Sequence, residues 1–217
     1  MAIVGISDLH YEFNERYGVD ESLAWEWLLS IVDRFKPSWL LCAGDWGSAV
    51  TLVDFKTLLN RVNVLSIFGN HENMPVLRKS GVLLNEGKVY NVEGFRVAGI
   101  HGIVHMKRRS KAGVPRRKPV DFTRVAEVLA NKVDILLLHE VPYLPEVYPD
   151  MRLSPGSEAA LEAIKIIKPR LVLGGHMHKG CYSYHVFPWG TTYLRVDSSQ
   201  SSKCCLLYTS PSPQDRG

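Results

Sequence analysis

The chain has 217 residues, 46% of them hydrophobic, enough for one domain with a sizeable core and cramped for two. No apolar run approaches the roughly 20 residues of a membrane span, and the N-terminus lacks a basic segment, a long apolar stretch and a small-residue cleavage site. Composition therefore argues against a helical membrane protein and points to a cytoplasmic one. The net charge is +4, yet Lys107, Arg108, Arg109, Lys111, Arg116, Arg117 and Lys118 supply seven positive charges with no acidic residue among them, which leaves the rest of the chain at −3. One basic loop on a mildly acidic body implies a local role rather than general affinity for nucleic acid.

The first predicted element is a strand over Ala2–Ile6. Asp20 or Ser22 can cap a helix ending near Phe35, in which Ala24, Trp27, Leu28, Ile31, Val32 and Phe35 recur at helical spacing. Pro37 stops it. A strand over Trp39–Cys42, a helix over 48–59 and a strand over 62–68 follow. This β-α-β-α-β alternation predicts parallel strands joined by helical crossovers.

Beyond Glu72 short β-like runs at 82–84, 88–92 and Phe95–Ile100 alternate with Asn85-Glu86-Gly87 and Glu93-Gly94, which reads as a meander. Residues 102–119 form the basic loop. A helix over 121–130 leads into a strand over 133–138, and Ser154-Pro155 marks the start of a helix reaching Ile167. A strand over 171–173 and a β-rich stretch to about Val196 complete one domain, 1–203. Residues 204–217 are set apart as a non-native or disordered tail: 205–213 resembles a translated sequencing-library adapter, in which case the native chain breaks off near Cys204 with final strands missing. The four cysteines, Cys42, Cys181, Cys204 and Cys205, match neither a zinc knuckle nor a redox pair and do not make a disulfide framework. Cys42 reads as a small buried hydrophobe.

Five polar clusters sit at the ends of apolar runs: Asp8-Leu9-His10, Gly44-Asp45, Gly69-Asn70-His71-Glu72, His139 and Gly175-His176-Met177-His178. In open α/β sheets ligands bind just past the carboxyl ends of the strands, so the five clusters point to one crevice. Their oxygen and nitrogen donors suit manganese, iron, zinc or cobalt and suit calcium poorly. Asp8 and His10, two residues apart, face one side if the backbone stays extended. The glycines permit tight turns and close approach. Each cluster alone has an ordinary explanation as a turn or a buried histidine; the five together, in this order, do not.

These motifs resemble those of the calcineurin-like metallophosphoesterase superfamily over about residues 1–200. The resemblance implies an α/β fold, a four-layer α/β/β/α sandwich, with two divalent metal ions, manganese foremost and iron, zinc, cobalt or nickel as alternatives. It implies one metal on Asp8, His10 and His178, a second on Asn70, His139 and His176, and Asp45 bridging both, a carboxylate having an oxygen for each. It further implies a hydroxide bridging the metals as nucleophile and His71, near the metals without being a ligand, as the acid for the leaving group, with Glu72 orienting His71. Trp46 departs from the smaller residue expected after Gly-Asp and is read as pocket wall; Glu140 is an extra carboxylate without a role.

The expected activity is hydrolysis of a phosphate ester, a phosphodiester ahead of a monoester. His101, at another strand end, and the basic-loop arginines Arg108, Arg109, Arg116 and Arg117 are candidate substrate contacts, because guanidinium pairs bidentately with phosphate. A nuclease holding nucleic acid or a nucleotide on that loop is the second reading. A non-catalytic scaffold is the third; it predicts missing ligands, and none is missing. The sequence says nothing of oligomeric state.

Overall fold

The structure, a computed structural model, describes residues 2–16, 18–107, 109–200 and 206–209. In chain order the elements are β1 (Ala2–Ile6), β2 (Glu15–Arg16), β3 (Val19–Asp20), α1 (Ala24–Phe35), β4 (Trp39–Cys42), α2 (Leu52–Leu59), β5 (Asn63–Ser66), α3 (Met74–Lys79), β6 (Tyr90–Val92), β7 (Phe95–Ile100), β8 (Ser110–Lys111), β9 (Val114–Pro115), α4 (Pro119–Leu129), β10 (Ile135–Leu138), α5 (Pro155–Ile167), β11 (Leu171–Gly174), β12 (Tyr182–Val186), β13 (Thr192–Val196) and β14 (Leu206–Thr209).

Two sheets carry the fold. The first has the order β14-β1-β4-β5 and the second β12-β13-β11-β10-β7-β6. β1, β4 and β5 run parallel, as do β7, β10, β11 and β13; β14, β12 and β6 pair antiparallel at the edges. Alternation along each strand sends side chains to opposite faces. Ile3, Leu41 and Leu65 of the first sheet meet Val97, Ile135, Leu137 and Leu173 of the second in one buried cluster. On the outer face of the first sheet, Val4, Leu40 and Val64 pack against Leu28 and Val32 of α1, Phe55 and Leu58 of α2, and Leu77 of α3. On the outer face of the second, Leu136, Leu138 and Val172 pack against Phe122 and Ala126 of α4 and Ala160 and Ile164 of α5. Among the described residues no helix is long and apolar enough to cross a membrane.

The predicted alternation is present, with local differences that have physical reasons. Helix α2 begins at Leu52 rather than Ser48, because Thr51 and Asp54 close a reciprocal capping box there. Residues 82–84 are not a separate strand; the Ser66 N–H donates to the Val82 carbonyl and the Leu84 N–H to the Ser66 carbonyl, so the segment only bridges to β5. Helix α3 was not foreseen: Asn73 caps it and Pro75 sits in its first turn, a start signal hidden by its brevity. Trp46 is no pocket wall. It is buried among Trp25 and Phe55, and its indole N–H donates to Ser66 Oγ at 2.8 Å. Cys42 is a free buried thiol, whereas Cys181 is disulfide-bonded, which the cysteine spacing did not suggest. The segment set aside as a tail lies mostly outside the described residues, but Leu206–Thr209 pairs with β1 at the edge of the first sheet.

Candidate metal centre

Because the central strands of each sheet are parallel, their carboxyl ends lie at one edge, and the five polar clusters follow β1, β4, β5, β10 and β11. The backbone there is not extended. Asp8 (φ 56°), His10 (φ 50°), Asp45 (φ 60°) and His176 (φ 72°) all adopt the left-handed conformation. The expectation that Asp8 and His10 share a side through extended backbone is therefore wrong. They converge because each turns the chain sharply, a conformation that costs a non-glycine residue about 1 kcal/mol or more and collects at functional sites. Backbone bonds between loops hold these turns: the Asp8 N–H donates to the Gly44 carbonyl at 2.9 Å and the His10 N–H to the Asp45 carbonyl at 3.0 Å.

The side chains meet closely. His10 Nε2 lies 3.6 Å from Asp8 Oδ1 and 3.6 Å from Asp45 Oδ2, and His139 Nε2 lies 3.4 Å from Asp45 Oδ2. His139 Nε2 is also 3.2 Å from Asn70 Oδ1. The rings form two pairs, His10 with His178 at 5.0 Å between centroids and His139 with His176 at 5.2 Å. His71, exposed, stands edge-on to His10 at 5.2 Å. Ligand atoms of Asp8, His10 and His178 lie within 4.8 Å of one another, as do those of Asp8, Asp45 and His139. Asp45 Oδ1 accepts the backbone N–H groups of Asn70 and of His71, the latter at 2.8 Å, so only Oδ2 faces His10 and His139. His139 Nδ1 lies 2.7 Å from the Ala43 carbonyl and so carries a proton there, which aims Nε2 inward at Asp45 and Asn70.

The donor set fits divalent cations. Burial works to raise both aspartates, but the neighbouring His10 imidazole brings Asp8 below the ordinary carboxylate range, and the charge of His139 beside Asp45 holds Asp45 well below it. Burial alone would lower His139; the Asp45 carboxylate overrides it and pushes the imidazole up to about 10. His176, half-buried and next to His139, is lowered by desolvation to about 4 and is neutral near pH 7. Two buried carboxylates thus recruit positive charge, which hard cations supply with oxygen and imidazole donors already in place.

The remaining candidates divide. Glu72 is buried, and both its oxygens accept backbone N–H groups: Oε1 from Asp45 and Gly69, each at 2.8 Å, and Oε2 from Trp46 at 3.1 Å. Burial and the neighbouring Asp45 raise it to about 8. Glu140 accepts the Val104 N–H at 2.7 Å, anchoring the base of the basic loop to the strand end that carries His139.

His101 packs into the scaffold. It is buried, stacked on Phe68 at 4.5 Å; its Nδ1 accepts the Phe68 N–H, and its Nε2 lies 3.1 Å from the Leu84 carbonyl. Arg117 is engaged by Glu86 at 2.8 Å and faces Asp121 at 3.6 Å. Arg116 is half-buried, Arg109 is exposed, and Arg108 lies outside the described residues. Sequence reading missed Ser7, whose hydroxyl donates to Asp8 Oδ2 at 2.7 Å, and Asp197, whose Oδ2 is 3.0 Å from His178 Nδ1. An Arg-x-Asp at the end of an apolar strand was the available signal for Asp197.

A cavity of about 420 Å³ lies at the other end of the strands, lined by the first residues of β7, β10, β11 and β13 (Phe95, Ile135, Leu171 and Thr192). It is remote from the carboxyl-end cluster.

An α/β fold with histidine, aspartate and asparagine donors converging at the carboxyl ends of its strands defines a metal-dependent hydrolase. A family model for calcineurin-like phosphoesterase matches residues 1–180, and the chain belongs to that family. Its reaction class is hydrolysis of phosphate esters with divalent metal. No curated protein matches the sequence. Among solved structures, a dimetal phosphatase from Danio rerio is similar over 90% of this chain and 87% of its own, with 14% identity and a TM-score of 0.57. A phosphopantetheinyl hydrolase from Mycobacterium tuberculosis is similar over 93% and 90%, with 16% identity and a TM-score of 0.53. A 5'-nucleotidase from Candida albicans is similar over 89% of this chain and 44% of its own, with 15% identity and a TM-score of 0.55. At these identities the likeness is one of fold.

Gly69 touches the centre directly: a Cβ there would lie 2.7 Å from His139 Nε2 and strike Asp45 Oδ1. Gly69→Ala is expected to weaken Mn2+ binding by at least about tenfold in calorimetry while circular dichroism stays unchanged. His101 predicts an acid-linked loss of stability. Burial lowers it from 6.5 to about 4, so the unfolded chain takes up the proton first. Its contribution is complete above pH 6.5 and is lost as pH falls towards 4, by about 3 kcal/mol. Urea unfolding of metal-free protein should show wild type converging on His101→Gln between pH 7 and pH 4.

Proposed function

We propose that the protein is a two-metal phosphoesterase, with manganese the preferred cation and a phosphodiester the preferred substrate. The observation that carries this is the pairing of the histidines around Asp45 Oδ2, which lies 3.6 Å from His10 Nε2 and 3.4 Å from His139 Nε2. Asp8, His10 and His178 would hold one ion, and Asn70, His139 and His176 the other. Asp45 would serve both ions; its Oδ1 is engaged by two backbone amides, and its Oδ2 faces His10 and His139. When bound, the cations supply Lewis acidity, activating water and neutralising charge on the phosphoryl oxygens.

The chain's own residues do the rest. His71, exposed beside His10 and held by its backbone N–H on Asp45, would donate a proton to the leaving oxygen. Glu72 acts as a positioning residue through the backbone of Asp45, Trp46 and Gly69. The side chains that meet at the centre are carboxylates, imidazoles and one amide, so positive charge would come from the cations. That supply suits the single charge of a diester better than the double charge of a monoester.

The basic loop supports a nuclease less well, because Arg117 is committed to Glu86 and His101 to backbone groups. A manganese-supplemented screen of phosphomonoesters, phosphodiesters, cyclic nucleotides and short nucleic acids, with metal analysis of the protein, tests the reading. Cation-dependent turnover led by bis(p-nitrophenyl) phosphate is expected, and a metal-loaded protein inert to every ester would overturn it. His71→Ala should keep its metal and lose about 10²–10⁴-fold in kcat. The loss should be smallest for good leaving groups such as p-nitrophenolate, and an equal loss for all leaving groups would remove His71 as the acid.

A further inference from the structure

Strand β13 ends beside the loop 175–180 that carries His176 and His178, and two side chains near that end grip the loop. Arg195 is fully buried. Its Nη1 donates to the Met177 carbonyl at 2.7 Å, and its Nη2 to the carbonyls of Lys179 at 2.8 Å and Gly180 at 3.0 Å. Its Nε donates to Ser183 Oγ at 3.0 Å and Tyr148 Oη at 3.1 Å, which braces the guanidinium from behind. Three carbonyls of a six-residue loop are thus tied to one rigid planar group.

Asp197, two residues further on and also buried, reaches the same loop by its ring. Its Oδ2 is 3.0 Å from His178 Nδ1, and its Oδ1 accepts the Ser199 N–H at 3.1 Å. The Asp197 N–H donates to the Cys181 carbonyl at 2.9 Å, fastening the far side of the loop to the same strand end. A carboxylate can only accept, so His178 must carry its proton on Nδ1, and its Nε2 lone pair is left for a cation. A free histidine side chain prefers the Nε2–H tautomer, so the contact has a chemical consequence beyond packing.

We propose that Arg195 and Asp197 are positioning residues that preset the His176–His178 loop as one wall of the cation cradle. Arg195 fixes its backbone, and Asp197 fixes the tautomer and aim of His178. The proposal rests on the two-cation reading, but its first test does not need the metal. In metal-free protein, nitrogen-15 spectra of the histidine rings should show His178 with its proton on Nδ1. In Asp197→Ala the Nε2–H form should become the major one, while the rings of His139 and His176 and the circular dichroism stay as in wild type.

Calorimetric titration with Mn2+ should then show one of the two binding events weakened 10–100-fold in Asp197→Ala. Arg195→Lys, which keeps the charge but not the planar fork, should weaken it in the same direction. An Asp197→Ala protein that is folded, keeps the Nδ1–H form and binds Mn2+ within twofold of wild type would overturn the proposal. A wild type that holds the Nδ1–H form yet binds no Mn2+ would instead sink the cation reading while supporting the ring-fixing role.

Discussion

Two buried carboxylates within reach of one imidazole are the constraint from which the rest of the structure follows. His10 Nε2 is 3.6 Å from both Asp8 and Asp45, and all three side chains are almost wholly buried. An unpaired charge in such a place costs several kcal/mol, and two like charges cost more. The surroundings answer with donors: Ser7 and the His176 amide on Asp8, the Asn70 and His71 amides on Asp45, and imidazoles on the remaining oxygens. A site that gathers negative charge and then keeps one oxygen of Asp45 open between two histidines is built for cations.

Reaching that geometry takes backbone strain. Four candidate ligands are left-handed, and the glycines among them stand where any Cβ would meet a ligand: at Gly44, 2.9 Å from His139 Nδ1, and at Gly69, 2.7 Å from its Nε2. Such turns persist only where the surroundings over-determine them. Here that is done by buried side chains reaching between loops. Glu72 ties the turn after β4 to the turn after β5, Glu140 ties the basic loop to the end of β10, and Arg195 ties the loop after β11 to β13. In these three places a residue that follows or belongs to one strand locks the end of another.

The basic loop illustrates how charge in a sequence differs from charge available to a ligand. Of its cations, Arg117 serves Glu86 and Asp121, and the loop base is fastened at Val104 to Glu140. His101, which follows a strand as a ligand would, uses both ring nitrogens on backbone groups instead. A histidine at a strand end looks the same in sequence whether its ring turns to a site or to its own scaffold.

Residue order alone determined the alternation of apolar runs and helices, the bounds of β1, β4, β7 and α5, and the candidate ligands, because strand patterning is local and donor chemistry belongs to the residue type. It did not determine how the turns run. Asp8 and His10 are left-handed rather than extended, since the bonds that hold them come from Gly44 and Asp45, thirty-odd positions away. Nor did it mark Arg195, Asp197 or the task of Glu72, whose partners lie on other strands. Which polar groups become ligands and which become fasteners is decided by burial and by long-range pairing, and those quantities exist only once the two sheets have packed.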